Sequence, residues 1–589
     1  MSHQETLPPH LTGANFLLGA TAPADVFTPE DLAPEDRQMA DIAAKFMDKE
    51  VFPNLEALEH QEPGLARRLF AKAGELGFLG IEVPEDCGGL GLGKTSAIGI
   101  NEQLSRLAGF GITCGAHTGI GSQPLIYFGT EAQRRKYLPR LATGEWMAAY
   151  CLSEAGSGSD ALAMRTKAVL SPDGKHYVLN GVKMWITNAA WADLFTVFAK
   201  VDGQQVTAFL VEKSFPGVST GKEEHKLGIK SSSTRRVILE DVRVPVENVL
   251  GGVGKGAYVA FNILNFGRYS LAAGLVGPAR EQIRLAVRYA QERQQFGRPL
   301  ASFGLIQQKV AAMATTLYAV ESATYRTAGL IDAVAATGEK LNLTEPAFPR
   351  SLDEFALEAS IVKVRSSEML FEVADETLQV LGGYGFTEEF PAARALRDAR
   401  INRIFEGTNE INRLFGPGLL LRREQRGRFP LSEAHRAAAA EIAGGKRNLP
   451  ALADMAGAGV FWENAKKLTL FLMGEAEQHH GVRLGEEQEI VTALADMIGE
   501  IYLGESALIR AEKVAFAAGK PTLHGDMALL FVSDSSLRLE AWARRVVAAL
   551  PGPERSLALR EMLSWPLFNS IQVMRRVSQE IFRQNACPV

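Results

Sequence analysis

The feature that most limits what this chain can fold into is a double change of periodicity. From Asp36 to about Arg140 apolar residues recur at i, i+3 and i+4, as in MADIAAKFMDKEVF and PGLARRLFAKAGELGFLG, the pattern of one helix face. Near Glu145 the texture changes. EWMAAYCLSE, KHYVLNGVKMWIT, DLFTVFAKV, QQVTAFLVE and RRVILEDVRVP are short β-branched or aromatic runs, separated by the turn signals SPDG, VDGQ and SFPG. From Gly256 helical patterns return, and they are long enough to build a bundle. The expected organisation is mainly α with a central β domain. It comprises an arm over 1–30, a helical domain over 31–145, a β domain over 146–253, a helical bundle over 254–425, a linker over 426–458 and a second helical domain over 459–589. A chain of 589 residues suits about three to four domains. In the last block Ile490, Leu494, Met497, Ile498 and Ile501 share one helical face, and Trp565-Pro566 breaks a later helix.

Several functions are disfavoured by what the chain carries. Its 46% apolar and 22% charged residues match soluble globular proteins, and a net charge of −5 offers no basic excess for nucleic acid. Cys87, Cys114, Cys151 and Cys587 are far apart and form no C-x-x-C, so neither a disulfide framework nor a metal site is expected. The opening residues read as neither a secretory signal nor a mitochondrial presequence, and no run of about 18 apolar residues suggests a membrane span. GGLGLGKT, Gly88 to Thr95, fits the phosphate-loop pattern letter for letter. Its setting does not fit. Glu85 and Asp86 would repel a triphosphate, and no strand–helix alternation follows, so the glycines read as a tight loop. GGVGKGA, Gly251 to Ala257, reads as a β-to-helix turn.

Candidate chemistry gathers in five places. CLSEAGSGSD, Cys151 to Asp160, leaves a strand for a loop whose N–H groups and hydroxyls can serve an anion or simply turn at the surface. KMWITN sets Trp185 and Thr187 on a strand, either to hold a flat heteroaromatic ring or as core. ERQQFG places Arg293 in the last turns of a long helix, where a cation is welcome with or without a pyrophosphate. LQVLGGYGF ends another helix in Gly-Gly, a stop signal that also lets backbone approach a ligand closely. In RIFEGTNEINRLF a lone carboxylate, Glu406, follows Ile404 and Phe405 and precedes a turn. It is a helix-start acid, a buried ion-pair partner or a general base with a raised pKa; its neighbours alone leave all three open.

Together these motifs, with LRDARINRIFEGTNEI and the helix–β–helix order, resemble the acyl-CoA dehydrogenases over about Pro29 to Arg423. NILNFGRYSLAAG, SFGLIQQK and the additional C-terminal helical block are most similar to the very-long-chain branch. The resemblance implies the acyl-CoA dehydrogenase fold, with an N-terminal helical domain, a β-barrel-like domain and a four-helix bundle, here extended by a C-terminal helical domain. It implies FAD between the β domain and the bundle, completed by a neighbouring subunit of a homodimer. Leu152, Ser153, Trp185, Ile186 and Thr187 match positions at the flavin ring. Ser159 matches one near the phosphates and the CoA of the substrate. Arg293 and Phe296 match positions reaching FAD across the dimer, and Gln379, Gly382 and Gly383 match those at its adenosine–pyrophosphate end. Thr408 and Glu410 touch the cofactor after the catalytic residue, and Asn265 and Arg268 stand on the substrate side. Glu406 matches the base that removes the α-proton of an acyl-CoA thioester, after which the β-hydrogen leaves as hydride and trans-2-enoyl-CoA forms. Where some relatives carry the base on the ILNFGR helix this chain has Gly267, so that role falls to Glu406.

The implied function is dehydrogenation of long-chain acyl-CoA in fatty-acid β-oxidation, with electrons passed to electron-transferring flavoprotein. An oxidase on the same fold and an assembly scaffold are the alternatives. Gly119 and Gly121 match the place where the long-chain branch thins its pocket floor, implying tails of about 12 carbons or more, with small residues leaving the room. Three departures stand out. Ala155 replaces the usual Pro, Ser153 the usual Thr, and Phe266 is bulkier than its long-chain counterpart and trims the pocket. The C-terminal block resembles a region of dimer and membrane contact, and Arg422, Arg423, Arg426 and Arg428 either meet an anionic surface or form a solvated face. A bacterial cytoplasmic location, with peripheral contact at the inner membrane, is the expectation; a mitochondrial one is the lesser alternative.

Overall fold

A computed structural model describes residues 7–340, 347–444, 448–552, 555 and 562–585, so Cys587 lies outside the described residues. The first helical layer is built from Pro34–Phe46, Leu65–Glu75, Lys94–Leu104, Ala108–Ala116, Gln123–Phe128 and Glu131–Ala142. Its core joins Phe46, Phe70, Phe78 and Phe110. The phosphate-loop lookalike is an irregular turn that enters the helix Lys94–Leu104. The N–H groups of Lys94 and Thr95 at that helix start are taken by the Asp332 carboxylate, both at 2.9 Å, so a protein anion fills the place where a phosphate would sit.

The β region is one eight-stranded sheet. Its two 12-residue strands, His176–Thr187 and Thr234–Pro245, pair antiparallel although three strands separate them in the chain. Leu194–Val201 and Gln205–Glu212 pair alongside, and Ala148–Cys151 joins Leu194–Val201 in parallel. The pairing of the two 12-residue strands shifts register between Lys183 and Ile186. Trp185 sits in that bulge with a φ of 55°, which turns its indole outward, whereas Ile186 beside it is buried.

The bundle uses Gly256–Glu292, Gly304–Lys340, Ala356–Leu381 and Asn409–Gln425. Two of these run for 37 residues. Its core is continuous with that of the C-terminal helices Met455–His480, Gln488–Ala518 and Leu523–Ala549: Leu317, Leu420, Trp462, Ile501 and Phe531 belong to one buried cluster. Within the C-terminal block Gly504 lets Gln488–Ala518 approach Met455–His480 closely, because a Cβ there would run into the Trp462 indole. Buried and half-buried ion pairs cross the boundary between the bundle and these helices. Arg510 meets Glu321 at 2.7 Å, Arg326 meets Glu505 at 2.9 Å, and Arg413 meets Asp496 at 2.7 Å. The stretch read as a linker is not all connector. Its AHRAAAAEIA run has high helix propensity, and Leu431–Ala443 forms a helix that buries Leu431, Ala438 and Ile442. No helix among the described residues is long and apolar enough to cross a membrane.

Candidate active site

Glu406 lies where one helix stops and another starts. The turn Ile401–Arg403 closes the preceding helix, and Thr408 caps the next by accepting from the Ile411 N–H at 3.2 Å. Between them Glu406 has a φ of 58° and Gly407 a φ of 77°. Two successive left-handed residues reverse the chain. For a non-glycine residue this conformation costs about 1–3 kcal/mol, which the surrounding bonds must hold. They do so through the backbone. Lys363 Nζ donates to the Gly407 carbonyl at 2.6 Å and to Asn409 Oδ1 at 2.9 Å, and Asn412 Nδ2 donates to the Gly407 carbonyl at 2.9 Å.

The turn aims the Glu406 side chain into a cleft enclosing about 740 Å³ of empty space, counted with its open mouth. Gly119, Thr187, Gly267, Leu271 and Leu275 are among its walls. Gly267 is needed there, because a Cβ at 267 would fall on the Glu406 carboxylate. Oε2 of Glu406 is buried and has no hydrogen-bond partner. Burial is the main cause that lifts the carboxyl to about 7; the Lys363 and Arg268 charges act the other way. Burial also lowers the Lys363 ammonium to about 7 and the Arg268 guanidinium to about 10. A carboxylate in this setting can take a proton near neutral pH, as a general base must.

The other sequence candidates fall into two groups. Thr187 lines the Glu406 cleft, and Trp185 stands two residues before it with its indole 56% exposed. Leu152 is buried and Ser153 half-buried at the end of strand Ala148–Cys151. Their backbone is fixed: Lys183 Nζ donates to the Leu152 carbonyl at 3.1 Å, and the Ser153 carbonyl accepts from Met184 N–H at 2.9 Å. Ser159 is exposed on the following loop. Asn265 and Arg268 are buried and bonded to each other at 2.9 Å. Thr408 is half-buried and Glu410 exposed at the start of the helix after Glu406.

Arg293, Phe296, Gln379, Gly382 and Gly383 form the second group, and none of them lines the cleft. All five are exposed, Phe296 at 92%. Tyr384, which follows Gly383, has its ring centroid 5.9 Å from the Arg293 guanidinium. Arg293 is not within its helix, as its sequence position suggested; the helix ends at Glu292, and Arg293 has the extended backbone that leads into the turn carrying Phe296. Gly121 also departs from expectation. A Cβ there would press on Ala148 and the Ala116 carbonyl, so it serves strand packing, and only Gly119 of the two borders the cleft.

Sequence reasoning missed three residues. Lys363 holds the Glu406 turn, and its signal was a lone lysine inside the apolar run SIVKV. Glu154 and Lys183 pair at 2.8 Å beneath the Leu152–Ser153 loop. Burial works against the Glu154 charge, but the bond from Lys183, with those from the Thr166 hydroxyl and the Arg165 N–H, keeps its carboxyl below the ordinary range.

Comparison with known proteins covers most of the chain. Residues 33–145 match the acyl-CoA dehydrogenase N-terminal domain, 149–242 the middle domain, and both 254–416 and 464–564 models described as acyl-CoA dehydrogenase C-terminal domains. A probable acyl-CoA dehydrogenase of Bacillus subtilis is 45% identical over 94% of this chain and 93% of its own length. The human mitochondrial very long-chain specific acyl-CoA dehydrogenase is 46% identical over 58% of this chain and 51% of its own length. A crystal structure of an acyl-CoA dehydrogenase complexed with FAD from Bacillus anthracis superposes with a TM-score of 0.94 at 45% identity, covering 98% of this chain and all of that one.

Proposed function

The chain belongs to the acyl-CoA dehydrogenase family, and from that premise we propose that it is an FAD enzyme that dehydrogenates long-chain acyl-CoA to trans-2-enoyl-CoA, with Glu406 as the α-proton base. One observation carries the assignment: the buried, unpartnered Glu406 Oε2 faces an open, largely apolar cleft.

The residues present fit the cofactor. An outward-turned indole at Trp185, the Thr187 hydroxyl on the wall of the Glu406 cleft and the fixed Leu152–Ser153 backbone offer an aromatic face and polar groups. Leu152, Ser153, Trp185, Ile186 and Thr187 would hold the flavin, with Ser159, Thr408 and Glu410 near it. Arg293, Phe296, Gln379, Gly382 and Gly383 would serve the FAD of a second copy, since they lie outside this chain's own cleft. Bound FAD supplies a two-electron acceptor for the β-hydride.

The protein's own part is acid–base chemistry and positioning. Glu406 accepts the α-proton in a site where burial favours its neutral form, so proton transfer relieves the cost of a buried charge. Among the described residues its own N–H donates to no acceptor, which leaves that donor for the thioester carbonyl as negative charge develops there. Asn265 and Arg268 lie on the substrate side, and Ser159 near the CoA. The cleft runs along one helix from Gly267 to Pro278. Those 11 positions span about 16 Å at ~1.5 Å per residue. An extended tail advances about 1.25 Å per carbon, from a C–C bond of ~1.5 Å, so the cleft takes about 12–14 carbons.

Electrons then pass to electron-transferring flavoprotein. The test is turnover of butyryl- through eicosanoyl-CoA with that acceptor under argon, with the product identified by mass spectrometry. We expect 2-enoyl products and a maximum near dodecanoyl- and tetradecanoyl-CoA. No oxidation of any straight-chain thioester would overturn the proposal, and stoichiometric peroxide in air without the acceptor would identify an oxidase instead.

A further inference from the structure

Beside the Glu406 cleft lies a second cavity of about 630 Å³ of empty space, counted with its open edges, bordered by Phe78, Ile81, Ala97, Leu104 and, at its polar edge, Glu82 and Gln123. Asn101, Gly115, Phe266 and Ser270 border both cavities and so form the wall between them.

Most of that wall is thin or tied. Asn101 Nδ2 donates to the Ser270 carbonyl at 2.9 Å, which fastens Lys94–Leu104 to the long helix Gly256–Glu292. Gly115 has no side chain to offer, and a Cβ there would meet nothing within 4 Å. The Phe266 ring is the bulk of the barrier. It is buried, and the Lys94 ammonium faces it 4.3 Å from the ring centroid. Tyr269 meets it edge-on with centroids 6.5 Å apart. Gly119 gives it room, since a Cβ at 119 would lie 3.1 Å from Phe266 Cε1. Lys94 is held from behind by an ion pair with Glu82, whose carboxylate also accepts from the Gln123 amide.

We propose that the second cavity is an acyl subsite shut off from the cleft, and that Phe266, seated on Lys94, is the residue that excludes long tails from it. This rests on the dehydrogenase reading above. The ligand class is an unbranched, saturated acyl tail longer than the cleft holds. The lining is mostly apolar, so it suits hydrocarbon rather than a polar group. The ring sets the upper chain-length limit, and removing it joins the two spaces.

The experiment compares kcat/KM for eicosanoyl-CoA and dodecanoyl-CoA in the wild type, Phe266→Ala, Phe266→Leu and the double variant Phe266→Ala/Ala97→Phe, which refills the second cavity. Dissociation constants of the corresponding 2-enoyl-CoA products give a readout without turnover. The long-to-short ratio should rise at least about tenfold in Phe266→Ala, rise less in Phe266→Leu and fall back in the double variant, with binding following the same order. A ratio in Phe266→Ala within twofold of wild type, or one that Ala97→Phe leaves high, overturns the proposal. If Phe266→Ala does not fold, Phe266→Leu decides by the same ratio. A wild type that oxidises no straight-chain acyl-CoA refutes the dehydrogenase reading itself, a result distinct from an active enzyme whose chain-length ratio does not move.

Discussion

Replacing Glu406 by Gln should make the protein more stable as well as inactive, and the gain should grow with pH. The carboxyl rises from an ordinary 4.5 to about 7 in the folded protein, chiefly because it is buried. The folded state therefore holds the proton more tightly than the unfolded chain. The penalty is absent below about pH 4.5, builds as pH rises, and is complete above about pH 7. At ~1.36 kcal/mol per tenfold, the charged form costs about 1.4 kcal/mol at pH ~5.5 and about 3.4 kcal/mol at pH ~8.5. Gln keeps the shape and the turn but carries no charge, so the variant should gain about 2 kcal/mol relative to wild type between those two pH values. For a chain of 589 residues that is a Tm difference of about 2 °C. The assay is differential scanning calorimetry of both proteins at both pH values, with flavin occupancy matched by absorbance. An advantage that is equal at the two pH values, or reversed, would refute the claim that Glu406 is held against the preference of its charge.

Further outcomes follow from the same geometry. Lys363→Met removes the donor to Gly407 and a charge that favours ionised Glu406, so kcat should fall about tenfold or more and the rising limb of the pH–rate profile, near pH 7 in wild type, should move upward; a profile that does not move would separate Lys363 from Glu406. Gly267→Ala places a methyl on the Glu406 carboxylate, and activity should drop at least about a hundredfold, as misplacement of a reacting group does, while circular dichroism stays native. Arg510→Met leaves the Glu321 carboxylate, buried at 1% exposure, without one of its two arginine partners, so denaturant titration should register a loss of about 3–5 kcal/mol. A loss below about 1 kcal/mol would mean that the C-terminal helices are not locked to the bundle through this pair.

Much of the architecture was legible because periodicity survives without knowledge of partners. The helix–β–helix order, the long bundle helices and the break before the last helix are all properties of local sequence. What was not legible depended on direction or on distant residues. RIFEGTNE marks a turn, but the left-handed backbone at Glu406 follows from Lys363 and Asn412 gripping the next residue from elsewhere in the bundle. Trp185 reads equally well as core, and only the register shift against Thr234–Pro245 turns it outward. Gly119 and Gly121 look alike in AHTGIGSQP, yet one meets the cleft and the other a strand. Lys94 completes a nucleotide motif on paper, whereas in the fold it is buried beneath Phe266 and paired with Glu82.

The most direct test of the central claim is an anaerobic half-reaction. The purified yellow protein and Glu406→Gln are each mixed with tetradecanoyl-CoA in the absence of any electron acceptor, and the visible flavin band is followed with time. Glu406 as the α-proton base predicts rapid bleaching of the wild type with one equivalent of 2-enoyl-CoA formed, and no bleaching of the variant despite retained acyl-CoA binding. Bleaching of Glu406→Gln at a rate close to wild type would contradict it and place the base elsewhere.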